Sequence, residues 1–586
     1  MLRRPQLEIT PVAPVQFRFK QSGTVSTLFA DFGADAFGNL QINIPPPVPV
    51  TTLTIRLGEK LSSTGAIDRR PYGSVNYREL SLVTQSNRSV YRLEIPPKPR
   101  HNNPQALHTP PEIGEVTVFR YAEIDNAPAN LNSAALYQLW VHTAFDDNNS
   151  FFRSSSDTLN AVWDLCKHTM KATTAFGAYM DGERERIPYE ADSYINQLSH
   201  LACDANPEVS RYTIEYLLRN PTWPTEWSLH MPMMAAYDYM FTGDITFANK
   251  NYGALKKKLL MEKARGDGLI RALGIIDWPA GERDGFNGGD QRNLAGPEIN
   301  SVVNAFYYHA LIQMGTIAQA AGRPNDAALF KTRAKAVYNA FNAVFFDRNR
   351  GIYVDGEGLT HASLHANMFA LAFDIVPPAY RGKVADFIQS RGMACSVYGA
   401  QYLLEALYKS GRDDYALQLM ASRDIRSWWH MIEVGSTMTL EAWDVRYKPN
   451  LTWNHAWGAS PANIISRYLL GVRPLLPGFK KILISPRPGN LRTARGIVPT
   501  PKGAVVVNYQ IGILDVQVPA GTTAQVKIPS KLVNPQQFPP QILVNGKKTT
   551  VRTENGYIVI DEVKPGKTVF DFRQTQKRNI GLVRQH

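Results

Sequence analysis

The spacing of apolar residues changes twice along the chain of 586 residues. In residues 1–148, short apolar runs such as Val15–Lys20 and Val116–Tyr121 are separated by clusters of Pro, Gly and Asn. Short runs bounded by turn residues are typical of β-strands, and several of them in succession are typical of a sandwich. We therefore predict an N-terminal antiparallel β-sandwich over 1–148.

In residues 149–472, the apolar residues recur every three to four positions, as they do on amphipathic helices. Ser154–Asp157 offers N-caps, and Leu159, Val162 and Cys166 then fall on one helical face. About twelve segments of this kind can be counted. They predict an (α/α)6 barrel; a helical solenoid is the alternative, but it needs a fixed repeat period that this sequence lacks.

In residues 473–586, short β-like runs return, and Asn545-Gly546 and Asn555-Gly556 are strong hairpin signals. We predict a C-terminal antiparallel β-sandwich over 473–586. The expected fold class is thus multidomain, with an (α/α)6 helical barrel flanked by two antiparallel β-sandwiches. The exposed faces of such sandwiches would permit a homodimer.

Composition and charge narrow the function classes. The net charge of +13 is spread along the whole chain, without the dense basic tract expected of a nucleic-acid-binding protein. No apolar run reaches the length of a membrane span, so we expect no nucleic acid and no membrane as partners. The N-terminal residues lack the apolar core of a signal peptide, which predicts a cytoplasmic protein, or a periplasmic or secreted one if a leader was removed.

Cofactor and metal motifs are missing from the sequence. Cys166, Cys203 and Cys395 have no metal-ligand spacing and are interpreted as buried thiols. The sequence contains no phosphate-cradling Gly-rich loop and no nucleophile elbow. We therefore expect neither a cofactor nor a metal.

The most unusual stretch is Asp181–Asp192, which we call the acid loop. It holds five carboxylates and two arginines around Gly182 and Pro188, which indicate a shaped turn rather than a charged helix. A surface salt-bridge loop is the plain alternative. Acidic groups crowded against arginines also suit a site in which some carboxylates have shifted pKa values.

Other loops rich in aromatic and acidic residues are Trp223–Trp227, Asp277–Asp284 and Trp428–Trp457. Loops at one mouth of a helical barrel are well placed to form a site. Two carboxylates from separate loops, with aromatic rings around them, suit glycoside hydrolysis, in which one acid protonates the leaving oxygen and the other activates water or attacks carbon.

Two motifs carry a family resemblance. The acid loop, with Arg184-Glu185-Arg186 and a further acid at Asp192, resembles the acid loop of the α-L-rhamnosidases of glycoside hydrolase family 78. The stretches 436–444 and 454–461 resemble that family's base loop and the end of its barrel. The likeness covers roughly residues 150–575 and implies hydrolysis that releases terminal α-L-rhamnose from a glycoside or oligosaccharide, with inversion.

The resemblance also implies roles for individual residues. Glu185 would be the general acid and Glu441 the general base, with their carboxyl groups about 6.5–9.5 Å apart to admit a water molecule. We expect burial to raise the pKa of Glu185 against the pull of Arg184 and Arg186. The residues expected to bind the sugar are Asp181, Arg184, Tyr189, Asp192, Trp227, Asp277, Trp278, Trp443 and His455.

Several alternatives stay open at this point. Glu433 is a second candidate for the base, Asp277 and His455 could instead cap neighbouring helices, and Glu183 and Glu190 are interpreted as structural. The whole chain could be an inverting (α/α)6 glycosidase with a different glycone. It could also be a non-catalytic carbohydrate-binding protein, or a structural protein without a concave site.

Overall fold

The computed structural model describes residues 2–22, 25–286, 296–533 and 541–573. Over these residues the chain forms a β-sheet domain, a helical domain and a second β-sheet domain, in the predicted order. Among the described helices, none combines the length and the apolar character that crossing a membrane requires.

The N-terminal domain is an antiparallel sheet whose strands are connected through its longest one. The strands are β1 (Leu7–Val12), β2 (Gln16–Ser22), β3 (Val25–Asn43), β4 (Thr52–Gly58), β5 (Tyr77–Val83), β6 (Val90–Arg92), β7 (Thr117–Asp125) and β8 (Leu136–Thr143). A bulge between Asp31 and Ala36 bends β3, so that its first half pairs with β2 and its second half with β8 and β6.

A short strand, β9 (Phe151–Ser154), leads into the helical domain. The helices are α1 (Asp157–Ala172), α2 (Glu190–Cys203), α3 (Glu208–Arg219), α4 (His230–Thr242), α5 (Thr246–Lys250), α6 (Tyr252–Lys257), α7 (Ser301–Ala320), α8 (Pro324–Val344), α9 (Leu364–Ala372), α10 (Arg381–Arg391), α11 (Val397–Lys409), α12 (Asp413–Met420), α13 (Trp428–Glu433) and α14 (Ser460–Ile464). A small hairpin of β10 (Phe346–Asp347) and β11 (Ile352–Tyr353) follows α8.

Six of these helices close an inner ring. Each of α2, α4, α7, α9 and α11 packs against the next, and α14 packs against both α11 and α2. The inner position explains why α2 and α9 are buried along their whole length. This closed ring is the arrangement that the helical periodicity predicts.

The C-terminal domain consists of two sheets. Its strands are β12 (Val472–Pro474), β13 (Lys481–Ile484), β14 (Thr493–Val498), β15 (Val505–Gln510), β16 (Ile513–Val518), β17 (Thr523–Pro529), β18 (Gln541–Val544), β19 (Lys547–Thr550), β20 (Arg552–Glu554), β21 (Tyr557–Val563) and β22 (Gly566–Asp571). The pairs are antiparallel, except that β13 runs parallel to β17. Asn545-Gly546 joins β18 to β19, and Asn555-Gly556 joins β20 to β21, all four residues at positive φ.

The two sheet domains meet the helical domain in different ways. The strand β9 pairs with β14 as an edge strand of the C-terminal sheet, and one continuous apolar core runs from the helices into that domain. The N-terminal sheet has an apolar core of its own. A smaller cluster, which includes Phe37 and Phe176, joins it to the helical domain.

Candidate active site

The acid loop is closed by its own backbone. The Asp181 N–H donates to the Ile187 carbonyl at 3.0 Å, and the Ile187 N–H donates to the Asp181 carboxylate at 3.0 Å. Gly182 has a φ of +132°, and a Cβ there would lie 3.0 Å from the Asn454 side chain. Glycine therefore allows the loop to lie directly against the segment that ends the barrel.

Arg184 and Arg186 point to opposite sides of this loop. The Arg186 side chain is buried and donates to both carboxylate oxygens of Glu183, at 2.9 and 3.1 Å, and to the Val116 carbonyl of the N-terminal domain. Burial disfavours ionisation of Glu183, but Arg186 and Lys98 outweigh it and hold the pKa of that carboxyl at about 2. Glu183 is thus paired, in agreement with its structural interpretation.

Arg184 faces a cavity of about 230 Å³ at the mouth of the helical ring. The acid loop lies on one side of this cavity, and the loop that carries Glu441 lies on another. The cavity is lined by Asp181, Arg184, Glu185, Tyr189, Asp192, Trp223, Trp227, Ile275, Trp278, Glu441, Lys448, Asn450, His455 and Trp457. Glu185 and Glu441, which are far apart in the sequence, therefore meet in one hollow.

Glu441 is buried, with 2% of its side chain exposed, and is surrounded by cations. Arg184 donates to both of its carboxylate oxygens, at 2.9 and 3.0 Å, and Lys448 Nζ lies 3.4 Å away. The Thr452 N–H donates to it at 3.0 Å. Two cations and a backbone donor therefore hold this carboxyl group in one orientation at the cavity wall.

Glu185 lies nearer the opening, with 28% of its side chain exposed. Tyr189 donates its hydroxyl proton to Glu185 Oε2 at 3.1 Å, and Arg184 Nε lies 3.4 Å from Oε1. Burial raises the pKa of Glu185, but Arg184 and the Tyr189 hydrogen bond outweigh burial, so the net pKa is lowered. The expectation of a raised pKa is therefore wrong, because Arg184 lies so close.

The pKa values of two more deeply buried carboxyl groups are shifted upward, in contrast to that of Glu185. Burial raises the pKa of Asp181 well above its usual range, and repulsion from Glu185 adds to the shift. Burial likewise raises the pKa of Asp192, whose Oδ1 is hydrogen-bonded to His455 Nε2 at 2.9 Å. Burial lowers the pKa of His455 to about 3, so this imidazole is neutral at ordinary pH.

The sequence of this chain matches two known protein-family models. Residues 147–469 match the bacterial alpha-L-rhamnosidase six-hairpin glycosidase domain, and residues 471–537 match the bacterial alpha-L-rhamnosidase C-terminal domain. The first match alone covers more than half of the chain. The chain belongs to the bacterial α-L-rhamnosidase six-hairpin glycosidase family.

Curated relatives carry the same family name. An alpha-L-rhamnosidase of Alteromonas sp. (strain LOR) is 27% identical over 362 residues, which are 56% of this chain and 37% of the relative. One from Formosa agariphila is 21% identical over 493 residues, which are 75% of this chain and 50% of the relative. The chain thus spans half or less of the length of these α-L-rhamnosidases.

Solved α-L-rhamnosidase structures share the fold. The one from Dictyoglumus thermophilum superposes with a TM-score of 0.77 at 20% identity, over 97% of this chain and 64% of that one. The Streptomyces avermitilis enzyme complexed with L-rhamnose gives a TM-score of 0.75 at 19% identity, over 97% of this chain and 54% of that one. At such identities the likeness concerns the fold.

Two residues that the resemblance places on the sugar do not line the cavity. Asp277 is fully buried, where it accepts hydrogen bonds from the Ser396 and Trp278 backbone N–H groups and contacts His365 at 2.7 Å. Trp443 is buried too, and its indole N–H donates to a backbone carbonyl at 2.7 Å. Their polar atoms are used inside the protein, so both residues support the α-L-rhamnosidase scaffold around the site.

Glu433, the alternative base, also lies outside the cavity. It is exposed at the end of α13, where it accepts a hydrogen bond from the Trp429 indole at 2.6 Å. Glu190 is buried at the start of α2, where it accepts a hydrogen bond from the Thr222 N–H at 3.1 Å and lies 3.9 Å from Lys258 Nζ. Both positions agree with structural roles.

Five lining residues were not predicted for the site: Trp223, Ile275, Lys448, Asn450 and Trp457. Lys448 and Asn450 enter the cavity because the Glu441 N–H pairs with the Thr452 carbonyl at 3.1 Å, which folds the intervening loop back over the site. Trp457 donates its indole N–H to the Glu441 carbonyl at 3.0 Å. Trp457 lies in the 454–461 motif, which is the signal that could have identified it.

The N-terminal domain also contacts the acid loop. His101 Nε2 is hydrogen-bonded to the Glu183 carbonyl at 2.8 Å, and the Leu107 N–H donates to the Arg186 carbonyl at 2.8 Å. Arg100 Nη1 lies 3.6 Å from Glu185 Oε1. These contacts fix the backbone that carries the candidate general acid.

Asn454 connects the same loop to a second point of the N-terminal domain. Its Oδ1 accepts from the Glu183 N–H at 2.8 Å, and its Nδ2 donates to the buried carboxyl of Glu59 at 2.8 Å. Because His455 follows directly, this one amide side chain connects the acid loop, the N-terminal domain and a histidine that lines the cavity.

Metal binding by this site would require a cluster of suitable ligands. The described residues contain no group of three or more His, Cys, Asp or Glu side chains arranged to hold a metal ion.

Proposed function

We propose that this chain is an inverting α-L-rhamnosidase that releases terminal α-L-rhamnose from glycosides or oligosaccharides. The observation that carries the proposal is that Glu185 and Glu441 share one cavity and both contact Arg184. Two carboxyl groups with different surroundings can divide the acid and base roles between them.

Glu185 acts as the general acid. It is the more exposed of the two carboxyl groups and lies toward the opening, where the leaving group of a bound glycoside has room. A bound sugar displaces water from the cavity, and this further desolvation favours the protonated form of Glu185. The carboxyl proton then passes to the glycosidic oxygen as the bond to the anomeric carbon breaks.

Glu441 acts as the general base. Arg184 and Lys448 hold its carboxyl group in place, and Oε1, which accepts a single hydrogen bond among the described residues, from Arg184, keeps a lone pair that can accept a proton. It takes a proton from a water molecule that attacks the anomeric carbon from the face opposite the leaving group. Attack from that face inverts the configuration.

The remaining lining residues suit a 6-deoxy sugar. Asp181, Asp192 and His455 offer polar atoms for the hydroxyl groups, since Asp192 Oδ2 and His455 Nδ1 are buried and have no partner among the described residues. Trp227 and Ile275 supply apolar surface for a methyl group. The L-rhamnose bound by the Streptomyces avermitilis relative supports this choice of glycone.

The first test compares two variants on two substrates. Glu185→Gln and Glu441→Gln should each lower kcat/KM on a p-nitrophenyl α-L-rhamnoside by about 10²–10⁴-fold. On a 2,4-dinitrophenyl rhamnoside, whose leaving group needs no proton, only Glu185→Gln should recover activity. Glu433→Gln, an exposed control, should behave as the wild type does, and circular dichroism should show that all three variants fold.

Wild-type turnover in either of the first two variants would refute the assignment. NMR of the first product formed should show the β-anomer, and the coordinates of a rhamnose complex should place the two carboxyl groups about 6.5–9.5 Å apart. Activity on another aryl glycoside but not on the rhamnoside would support a glycosidase with a different glycone. Binding of rhamnose without hydrolysis would support a carbohydrate-binding protein.

A further inference from the structure

A second cavity, of about 330 Å³, lies where the helical domain meets the C-terminal sheets. Its walls come from α10, α11, β12, β13 and the β20–β21 hairpin, together with neighbouring residues. It is lined by Asp374, Arg381, Lys409, Arg473, Leu483, Ser485, Arg487, Lys527, Glu554, Asn555 and Tyr557. Five of these residues are basic and two are acidic, so the lining carries an excess of positive charge.

Three guanidinium groups surround one tyrosine ring beside this cavity. The Cζ atoms of Arg467, Arg473 and Arg487 lie 5.2, 4.9 and 5.5 Å from the centre of the Tyr468 ring. Contact with an aromatic face stabilises a cation, but three like charges at one ring also repel one another. Such a cluster needs negative charge nearby.

Two of the three arginines have an acidic partner. Arg467 forms a salt bridge with Glu405, and Arg487 lies 3.5 Å from Asp413. The backbone of Arg473 is paired with Leu483 in the sheet, but its side chain forms no hydrogen bond or salt bridge with the described part of the chain, and its Nε is buried without a partner. Burial lowers the pKa of Arg473, and the nearby charges of Arg487 and Arg467 lower it further.

The carboxylates of the cavity do not compensate Arg473. Asp374 forms salt bridges with Lys409, at 2.7 Å, and with Arg381, at 3.3 Å. Glu554 forms a salt bridge with Arg552 on its own strand. Lys527, like the Arg473 side chain, has no salt bridge within residues 2–22, 25–286, 296–533 and 541–573, although its charge helps to lower the pKa of Glu554 across the cavity.

We propose that this cavity binds an oxyanion, with Arg473 as the principal ligand and Lys527 as a second cation. Carboxylate, sulfate and phosphate groups all match a guanidinium donor that has free N–H groups. The Ser485 and Tyr557 hydroxyls line the same cavity and can donate further hydrogen bonds. Its volume is that of a small-molecule site, so the anion can be free or carried on an acidic sugar such as a uronate.

Calorimetric titration of the full chain tests the proposal. Sodium sulfate and D-glucuronate are titrated separately at an ionic strength held constant with sodium chloride, and neutral L-rhamnose serves as the uncharged comparison. We expect Arg473→Met to weaken anion binding at this site about tenfold or more, since it removes a charged donor. Lys527→Gln should weaken it less, and Arg348→Gln, at an exposed arginine without a salt bridge among the described residues, should leave it unchanged.

Thermal unfolding separates a binding role from a structural one. Without added anion, Arg473→Met should unfold at a higher temperature than the wild type, because it relieves repulsion among like charges. Sulfate stabilises folded proteins in general by exclusion from their surfaces, so both proteins should gain stability, but the wild type should gain more than the variant because it also binds the anion. A variant that is destabilised and still responds to sulfate as the wild type does would overturn the proposal, as would a wild type that binds neither anion.

The two titrations also identify the source of the anion. If glucuronate binds more tightly than sulfate, the cavity recognises the sugar ring as well as its carboxylate. Equal affinities would show that the site recognises the oxyanion alone.

Discussion

The two sheet domains attach to the helical domain through different proportions of apolar and polar contacts, since the N-terminal one shares only a small apolar cluster with it among the described residues. The C-terminal sheets share one continuous apolar core with the helices, and residues such as Leu470 and Phe479 belong to it. A Cβ on Gly496 would lie 2.1 Å from Leu470, so the contact is close. The N-terminal sheet adds hydrogen bonds and ion pairs, through His101, Lys98 and Glu59, directly at the acid loop or at Asn454 beside it.

We infer that the C-terminal boundary contributes mainly to the stability of the helical ring, and the N-terminal boundary mainly to the position of the acid loop. Apolar contacts are nondirectional, so the C-terminal boundary stabilises the helical ring without fixing a particular side chain of the site. Hydrogen bonds depend on distance and angle, so the N-terminal boundary can hold the Glu183–Arg186 backbone in one place. We therefore expect damage to the two boundaries to have different effects on activity.

The largest effect is expected from Arg186→Met at the N-terminal boundary. It leaves the Glu183 carboxylate buried without its main partner, which costs about 3–5 kcal/mol of unfolding free energy. Because the acid loop loses its anchor, kcat should also fall. Urea unfolding and hydrolysis of an aryl rhamnoside measure the two effects.

The matched control removes both charges. Arg186→Met combined with Glu183→Gln should recover part of the lost stability, because no unpaired charge then remains buried. A single variant that loses less than about 1 kcal/mol would show that this pair does not anchor the loop.

A smaller loss, about 2–5 kcal/mol, is expected from Leu470→Ala at the C-terminal boundary, since it opens a cavity in the shared core. At temperatures where the variant stays folded, kcat/KM should match that of the wild type. Leu475→Ala, at an exposed leucine, is the control and should change stability by less than about 0.5 kcal/mol. A fall in kcat like that of Arg186→Met would contradict the proposed separation.

The smallest effect is expected from Arg100→Gln, which removes a cation from the N-terminal side of Glu185. Arg100 helps to lower the pKa of Glu185, so its loss should raise that pKa. The general acid must be protonated, so activity falls as pH rises through its pKa, and this limb of the kcat/KM profile should move to higher pH. The exposed position of Arg100 keeps this shift small, because solvent and salt screen the charge.

Salt is the control for this electrostatic effect. Raising the ionic strength should shrink the difference between Arg100→Gln and the wild type. A shift toward lower pH would mean that Arg100 acts on Glu185 in some other way.

The sequence was sufficient for the order of the domains and for most of the cavity. Helical and strand periods reflect burial within each element, and the Asn-Gly turns at 545–546 and 555–556 reflect a local backbone requirement. Glu185 and Glu441 could be paired only through the family resemblance, since no local rule brings together residues so far apart in the chain.

The two predicted residues that do not line the cavity share a physical feature. Asp277 and Trp443 have the chemistry of a sugar site, but their polar atoms are satisfied by tertiary contacts that the sequence does not reveal. The pKa of Glu185 was predicted wrongly because the direction depends on the 3.4 Å approach of Arg184. The contribution of His101 could not be seen either, since it is a single histidine in a Pro-rich connection.

The edge strand β9 has a consequence for how this chain is made. It precedes the whole helical domain, but it completes the sheet that contains β14, β15 and β16. During synthesis, β9 can pair with β14 only after β14 has left the ribosome. A fragment that starts after Ser154 would leave β14 as a bare edge, ready to pair with another chain, so truncated forms used for expression should keep residues 151–154.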